Sequence, residues 1–162
     1  MDKQFLVEQL AERLRESVTV ARRASQAAAE VARDGATPAE KREDARVALE
    51  FSSLARGQKE RASRVAGEIS TLDVFRPSKL SPQSAISLGA VVEVEDGAQG
   101  RTFFLAPVGA GIELTGPGGD GFLSVVTPIS PIGRAVLGRR VGDTVEVTVQ
   151  GEAREWTITY VG

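Results

Sequence analysis

A chain of 162 residues with a formal net charge of −2, 26 % charged residues and 5 % aromatics can bury one good core, or one compact domain with an extended appendage. It contains neither cysteine nor histidine, which excludes a disulfide framework, a thiolate nucleophile, a zinc–thiolate site and a Ser-His-Asp triad. The charge balance also argues against gripping duplex DNA by bulk phosphate neutralisation.

No apolar segment follows Met1-Asp2-Lys3-Gln4, and no run approaches about 18 apolar residues. The expectation is a soluble cytoplasmic protein without a membrane segment. From Asp2 to Ala32 there is no glycine or proline, and Ala, Glu, Arg and Gln predominate. That composition favours helix. Val7, Leu10, Leu14, Ser17, Ala21, Ala24, Ala28 and Val31 recur at alternating spacings of three and four, the signature of a helix packed lengthwise on another. A second arm, from about Ala39 to Leu72, repeats the alternation at Phe51, Ala55, Gln58, Ala62, Val65, Ile69 and Leu72.

Between the arms lies Asp34-Gly35-Ala36-Thr37-Pro38-Ala39-Glu40. Gly35 can end one helix, Thr37 can cap the next, Pro38 fits its first position, and Glu40 completes a capping box. Two comparable arms joined by a capped turn predict an antiparallel helical hairpin over residues 1–75, with its tip near 33–44. The seam is large at its base (Leu10, Leu14, Val65, Ile69, Leu72) and thins to alanine toward the tip, where little apolar area is available to bury. A coiled coil used for dimerisation is the plainer reading of the same periodicity; the paired arms favour a monomer.

Asp73 to Pro82 ends the helical period with two prolines, and residues 76–84 read as a linker. Beyond it, β-branched residues alternate with polar ones. Strands are expected over Gly89–Glu95, Arg101–Val108, Gly111–Thr115, Gly121–Thr127, Thr144–Val149 and Ala153–Val161, the last two joined at Gln150-Gly151. Ser130 can cap a short helix with Pro131 at its first position and Gly138 at its end. Residues 85–162 therefore read as a small antiparallel sheet with one short helix, making the whole chain α+β.

Few residues carry obvious chemistry. The loop Gly116–Gly121 lacks the GxxxxGK[ST] pattern and opens no helix, so a hairpin loop explains it better than a phosphate cradle. Carboxylates a few ångströms apart can hold Mg²⁺, and Asp34, Glu40, Glu43 and Asp44 gather at the tip. Arg33, Lys41, Arg42 and Arg46 sit among them, so residues 33–46 hold four acids and four bases. The plainer reading there is a solvated, mixed-charge helix end. Arg56, Lys59, Arg61 and Arg64 likewise read first as a solvated face, and second as one facing RNA or a protein partner.

The segment Ser124-Val125-Val126-Thr127-Pro128-Ile129-Ser130-Pro131-Ile132-Gly133-Arg134-Ala135-Val136-Leu137-Gly138, then Val141-Gly142-Asp143-Thr144-Val145, resembles the C-terminal domain of the Gre family of bacterial transcript cleavage factors. That family carries Ser-Pro-[Ile/Leu]-[Ala/Gly]-[Arg/Lys] at this place, and Ile86-x-Leu88-Gly89-Ala90-x-Val92 resembles the start of its domain. The resemblance implies an FKBP-like sheet domain behind an antiparallel coiled coil. It also implies docking at the rim of the secondary channel of RNA polymerase, with the hairpin tip inserted toward the active site and the RNA 3′ end. Candidate docking residues are Ser130, Pro131, Ile132 and Leu137.

In such factors tip acids help the polymerase hold a second Mg²⁺, so the factor has no cofactor and no catalytic residue of its own. The candidates for that assistance here are Asp44, Glu43 and Glu40, with a shared Mg²⁺ at Asp44. The family tip reads Asp, two residues, then Glu-Asn-Ala-Glu-Tyr. In the best register Asp44 matches the Asp, Glu50 the later Glu and Phe51 the Tyr, but Val47 stands where the first Glu is expected and Ala48 where the Asn is. The resemblance thus implies a regulator that either stimulates cleavage of backtracked RNA or occludes the channel without cleavage. The alternatives are an FKBP-like peptidyl-prolyl isomerase, which needs an aromatic-lined pocket, and a coiled-coil adaptor that does not touch polymerase.

Overall fold

The computed structural model describes residues 2–33 and 41–162, with side chains in the second range from 45 onward. Among these residues the chain forms α1 (Gln4–Arg33), α2 (Lys41–Val74), β1 (Val91–Asp96), β2 (Gln99–Leu105), β3 (Glu113–Thr115), β4 (Phe122–Val126), α3 (Pro131–Val136), β5 (Thr144–Val149) and β6 (Glu152–Val161). It divides into two compact units, one of Met1–Ala11 with Thr71–Gly162, the other of Glu12–Ser70. The expected turn residues Asp34 and Glu40 lie outside the described residues, as do the side chains of Glu43 and Asp44.

In the unit Glu12–Ser70 the two helices form the expected antiparallel pair. With 30 and 34 residues, α1 and α2 run about 45 and 51 Å at 1.5 Å per residue. Leu14, Ala21 and Ala28 are buried on α1, and Ala62 and Val65 on α2. Ser17, Ala24, Phe51, Ala55, Gln58 and Ile69 are half-buried between them. Ser25 Oγ donates to the main-chain oxygen of Ala55 at 2.8 Å, fastening the alanine-lined stretch where side chains bury little.

Val31 departs from the seam and is 48 % exposed. A strict heptad drifts by roughly 20° per repeat on a straight helix, so three repeats after Leu10 the position has rotated out of the contact. Gly57 is exposed in mid-helix, and a Cβ there would meet nothing within 4 Å. Gly57→Ala should therefore stabilise the hairpin by about 0.5–1 kcal/mol, seen as a higher urea midpoint at unchanged m-value.

The other unit is built on a six-stranded sheet in the order β3-β4-β2-β1-β6-β5. Its pairs are antiparallel except β2 with β4, which run parallel in the register Phe103↔Ser124, Phe104↔Val125, Leu105↔Val126. The expected all-antiparallel sheet is thus mixed. After β2 the chain crosses to the sheet edge as β3 and returns as β4 between the two. Alternation reports which face a strand buries, not which neighbour it takes.

One face of the sheet carries Val92, Val94, Phe103, Leu105, Val145, Val147, Trp156 and Ile158, joined by Val136 of α3 in a single core. Val91 and Phe104 alternate onto the other face and are equally buried. Leu6, Leu10 and Leu72 are buried in this same unit. The first turns of α1 are tied down by Gln9, whose Oε1 accepts from Thr115 N at 2.6 Å while its Nε2 donates to Thr115 O at 3.2 Å. One side-chain amide thereby satisfies both main-chain groups of an edge-strand residue. Close approach also fixes Gly109, which has φ of 87° and where a Cβ would stand 2.7 Å from Leu10 Cδ1.

Candidate docking surface

The segment that carries the family-like motif folds as a rigid corner after β4. Ser130 caps α3 in extended geometry (φ −69°, ψ 155°). Its Oγ accepts from Gly133 N at 3.0 Å and donates to Thr127 O at 2.7 Å. Pro131 occupies the first turn, where its missing N–H costs nothing. Gly133 is buried against the strand exit, and a Cβ there would lie 1.9 Å from Thr127 O. At the other end Gly138 N donates to Ile86 O and Ile86 N to Arg139 O, both at 2.8 Å. The two stretches that resemble the family are therefore bonded to each other.

The four expected docking residues fall into different settings. Pro131 is exposed. Ile132 and Leu137 are partly buried and pack on the core, while the Ser130 hydroxyl is spent on the cap. Their neighbour Ile129, outside the four expected residues, is 78 % exposed. Its main-chain oxygen accepts from Arg134 Nε at 2.9 Å and Nη2 at 2.7 Å, so its backbone is held while its side chain faces water. Its place in the sequence hints at this: Ile129 follows the last strand residue by three and lies between Pro128 and Pro131, outside any regular element that would turn it toward the core.

At the distal end of the hairpin, Val47 is 40 % exposed. Glu50 pairs with Arg46 at 3.6 Å, side chains 66 % and 82 % exposed, a contact worth a few tenths of a kcal/mol. Phe51 is half-buried in the seam. Asp44, Glu43 and Glu40, the candidate partners of a shared Mg²⁺, lie outside the described side chains. Among the described residues no group of three or more carboxylates could hold a metal. In the register of the resemblance, Val47 and Ala48 offer Mg²⁺ no side-chain oxygen.

Aromatic residues of the sheet domain pack against one another around Trp156. Phe103 and Trp156 stack with ring centroids 5.7 Å apart and 7° between planes, and the Arg101 guanidinium lies 5.4 Å over the indole. Phe104 is also buried. The cavity beside Trp156 measures about 10 Å³, space for roughly one water and not for a prolyl ring. Among the described residues no helix is long and apolar enough to cross a membrane.

Comparison with known proteins agrees with this architecture. Residues 81–162, half of the chain, match the family model described as "Transcription elongation factor, GreA/GreB, C-term". The chain is 31 % identical over 166 aligned positions to transcription elongation factor GreA of Methylococcus capsulatus, covering 99 % of this chain and 98 % of the relative. Similar solved structures include GreA factor homolog 1 (Gfh1) of Thermus thermophilus, at 22 % identity, TM-score 0.39 and coverage of 94 % of each chain. A GreA/GreB factor from Nitrosomonas europaea aligns at 18 % identity and TM-score 0.38, over 62 % of this chain and 78 % of that one. A helical pair, a sheet domain with its capped corner, and a relative matched end to end lead to one assignment: the chain belongs to the GreA/GreB family of transcription elongation factors.

Proposed function

We propose that this protein docks on RNA polymerase through the α3 corner, inserts its helical hairpin into the secondary channel, and occludes that channel without stimulating RNA cleavage. The observation that carries the non-cleaving part is Val47, an exposed apolar residue where the family places an acid. Two-metal hydrolysis needs an ion on both the attacking and the leaving oxygen. A tip that supplies Asp44 but neither the first Glu nor the Asn has fewer oxygens with which to recruit the second ion. A hydrated helical hairpin in the channel still obstructs nucleotide entry whatever its tip carries. The protein then acts as an accessory factor, with no reaction of its own.

Capture of core RNA polymerase on immobilised protein tests the docking, and no capture at concentrations where another family member binds would overturn the whole reading. A stalled, backtracked elongation complex with Mg²⁺ tests the rest. The expected result is a transcript of unchanged length with slower nucleotide addition. Shortened RNA that disappears with Asp44→Ala would instead establish a cleavage factor with a rebuilt tip.

A further inference from the structure

In the unit of Met1–Ala11 with Thr71–Gly162 a cavity of about 720 Å³ opens between the start of α1, the linker and the end of β6. Its volume lies within the range of small-molecule sites. Three cations from two stretches line it: Lys3 just before α1, and Arg76 and Lys79 in the linker. Lys3 is only 5 % exposed. Its Nζ donates to the Gly162 main-chain oxygen at 3.1 Å, leaving two of the three ammonium donors to be satisfied, and burial lowers its pKa from the ordinary 10.5.

The one acid on the wall, Asp2, accepts from Gln4 N at 3.0 Å and forms no ion pair with Lys3 among the described residues. Arg76 is held in place by bonds from Nη1 to the main-chain oxygens of Asp73 (3.0 Å) and Phe75 (2.8 Å), so its Nε and Nη2 remain to meet a ligand. Pro77, Leu80 and Tyr160 supply the apolar remainder of the wall.

We infer that this cavity binds a phosphate-bearing anion of nucleotide size, its phosphates on Lys3, Arg76 and Lys79 and its organic part against Pro77, Leu80 and Tyr160. Burial partly desolvates the Lys3 ammonium, and an anion beside it offsets that cost. Three cations against one acidic side chain among the described residues leave positive charge in excess, which suits the several charges of a di- or triphosphate. The fork of Arg76 matches phosphate oxygens in geometry as well as charge. The site belongs to the sheet-bearing unit and does not depend on polymerase docking.

Calorimetric titration of the full chain with ATP, inorganic pyrophosphate and adenosine tests it. ATP and pyrophosphate should saturate below millimolar concentration, with adenosine giving no heat. Tighter binding of ATP than of pyrophosphate supports a nucleotide, and equal binding overturns the placement of an organic part and leaves a free polyphosphate. The exposed pair Arg76→Ala/Lys79→Ala should weaken binding about tenfold or more, and Lys3→Met should do the same. Should Lys3→Met fail to fold, the exposed pair still decides. No saturation by either anion, or unchanged affinity in the Arg76/Lys79 variant, overturns the inference.

Discussion

Trp156→Ala should destabilise the sheet domain by about 3–5 kcal/mol, and Trp156→Phe by clearly less. Trp156 is 2 % exposed within the core, stacked on Phe103 and roofed by Arg101. Truncation to alanine removes the transfer free energy of the indole and leaves a cavity that β-strands on either side cannot collapse to fill. It also removes the stacking and the cation–π contact, each worth about 0.5–1.5 kcal/mol. Phenylalanine keeps a ring at the same place.

The smaller cost of the second change rests on one atom. Trp156 Nε1 is buried without a hydrogen-bond partner, so replacing the indole breaks no bond and removes a donor that is desolvated for no return. Denaturant titration followed by circular dichroism measures both variants without relying on the tryptophan itself. A loss in Trp156→Phe equal to that in Trp156→Ala would show that keeping a ring at this position preserves nothing, and would overturn the expectation.

Much of this architecture is legible in residue order, for reasons that are local. The heptads of the hairpin, Ser130-Pro131 at the start of α3, and the hairpin at Gln150-Gly151 each encode their geometry within a few residues. Gln150 and Gly151 both adopt positive φ, 52° and 81°, as a two-residue turn that matches strand twist requires. The parallel pairing of β2 with β4 is not encoded locally, since it follows from β3 being carried past β4's place to the edge. The same holds for Gln9, which reads as one more polar residue on a long helix. Only the fold brings Thr115 to it, across 106 residues of sequence.

The candidate site divides along the same line. The loss of an acid at Val47 is visible in register, because coordination chemistry depends on residue type. The α3 corner, proposed above for docking, is visible as a motif but the roles of its side chains are not. Ser130, Ile132 and Leu137 look like recognition residues in sequence, and in the structure the first caps a helix while the other two pack on the core. What a motif conserves for its own folding and what it presents to a partner cannot be separated before burial is known.

That separation yields the sharpest functional expectation. Ile129→Glu should weaken capture of core RNA polymerase by about tenfold or more, near 1.4 kcal/mol at least, with no change in the unfolding midpoint. Ile129 is 78 % exposed, so the substitution removes nothing from the core and should shift stability by less than about 0.5 kcal/mol. Its backbone is already fixed by the two bonds from Arg134, so little order remains to be imposed on binding. An apolar side chain presented this way beside Pro131 suits the centre of an interface, where a few desolvated anchors carry most of the affinity. A glutamate there must either stay hydrated and hold the surfaces apart or be buried without a partner. Ser130→Ala supplies the contrast: losing the cap should cost about 1 kcal/mol of stability, and any loss of capture should follow that loss of folding. Full capture by Ile129→Glu at wild-type affinity would remove the α3 corner from the docking surface and send the search to other exposed apolar residues such as Phe122, 75 % exposed at the start of β4.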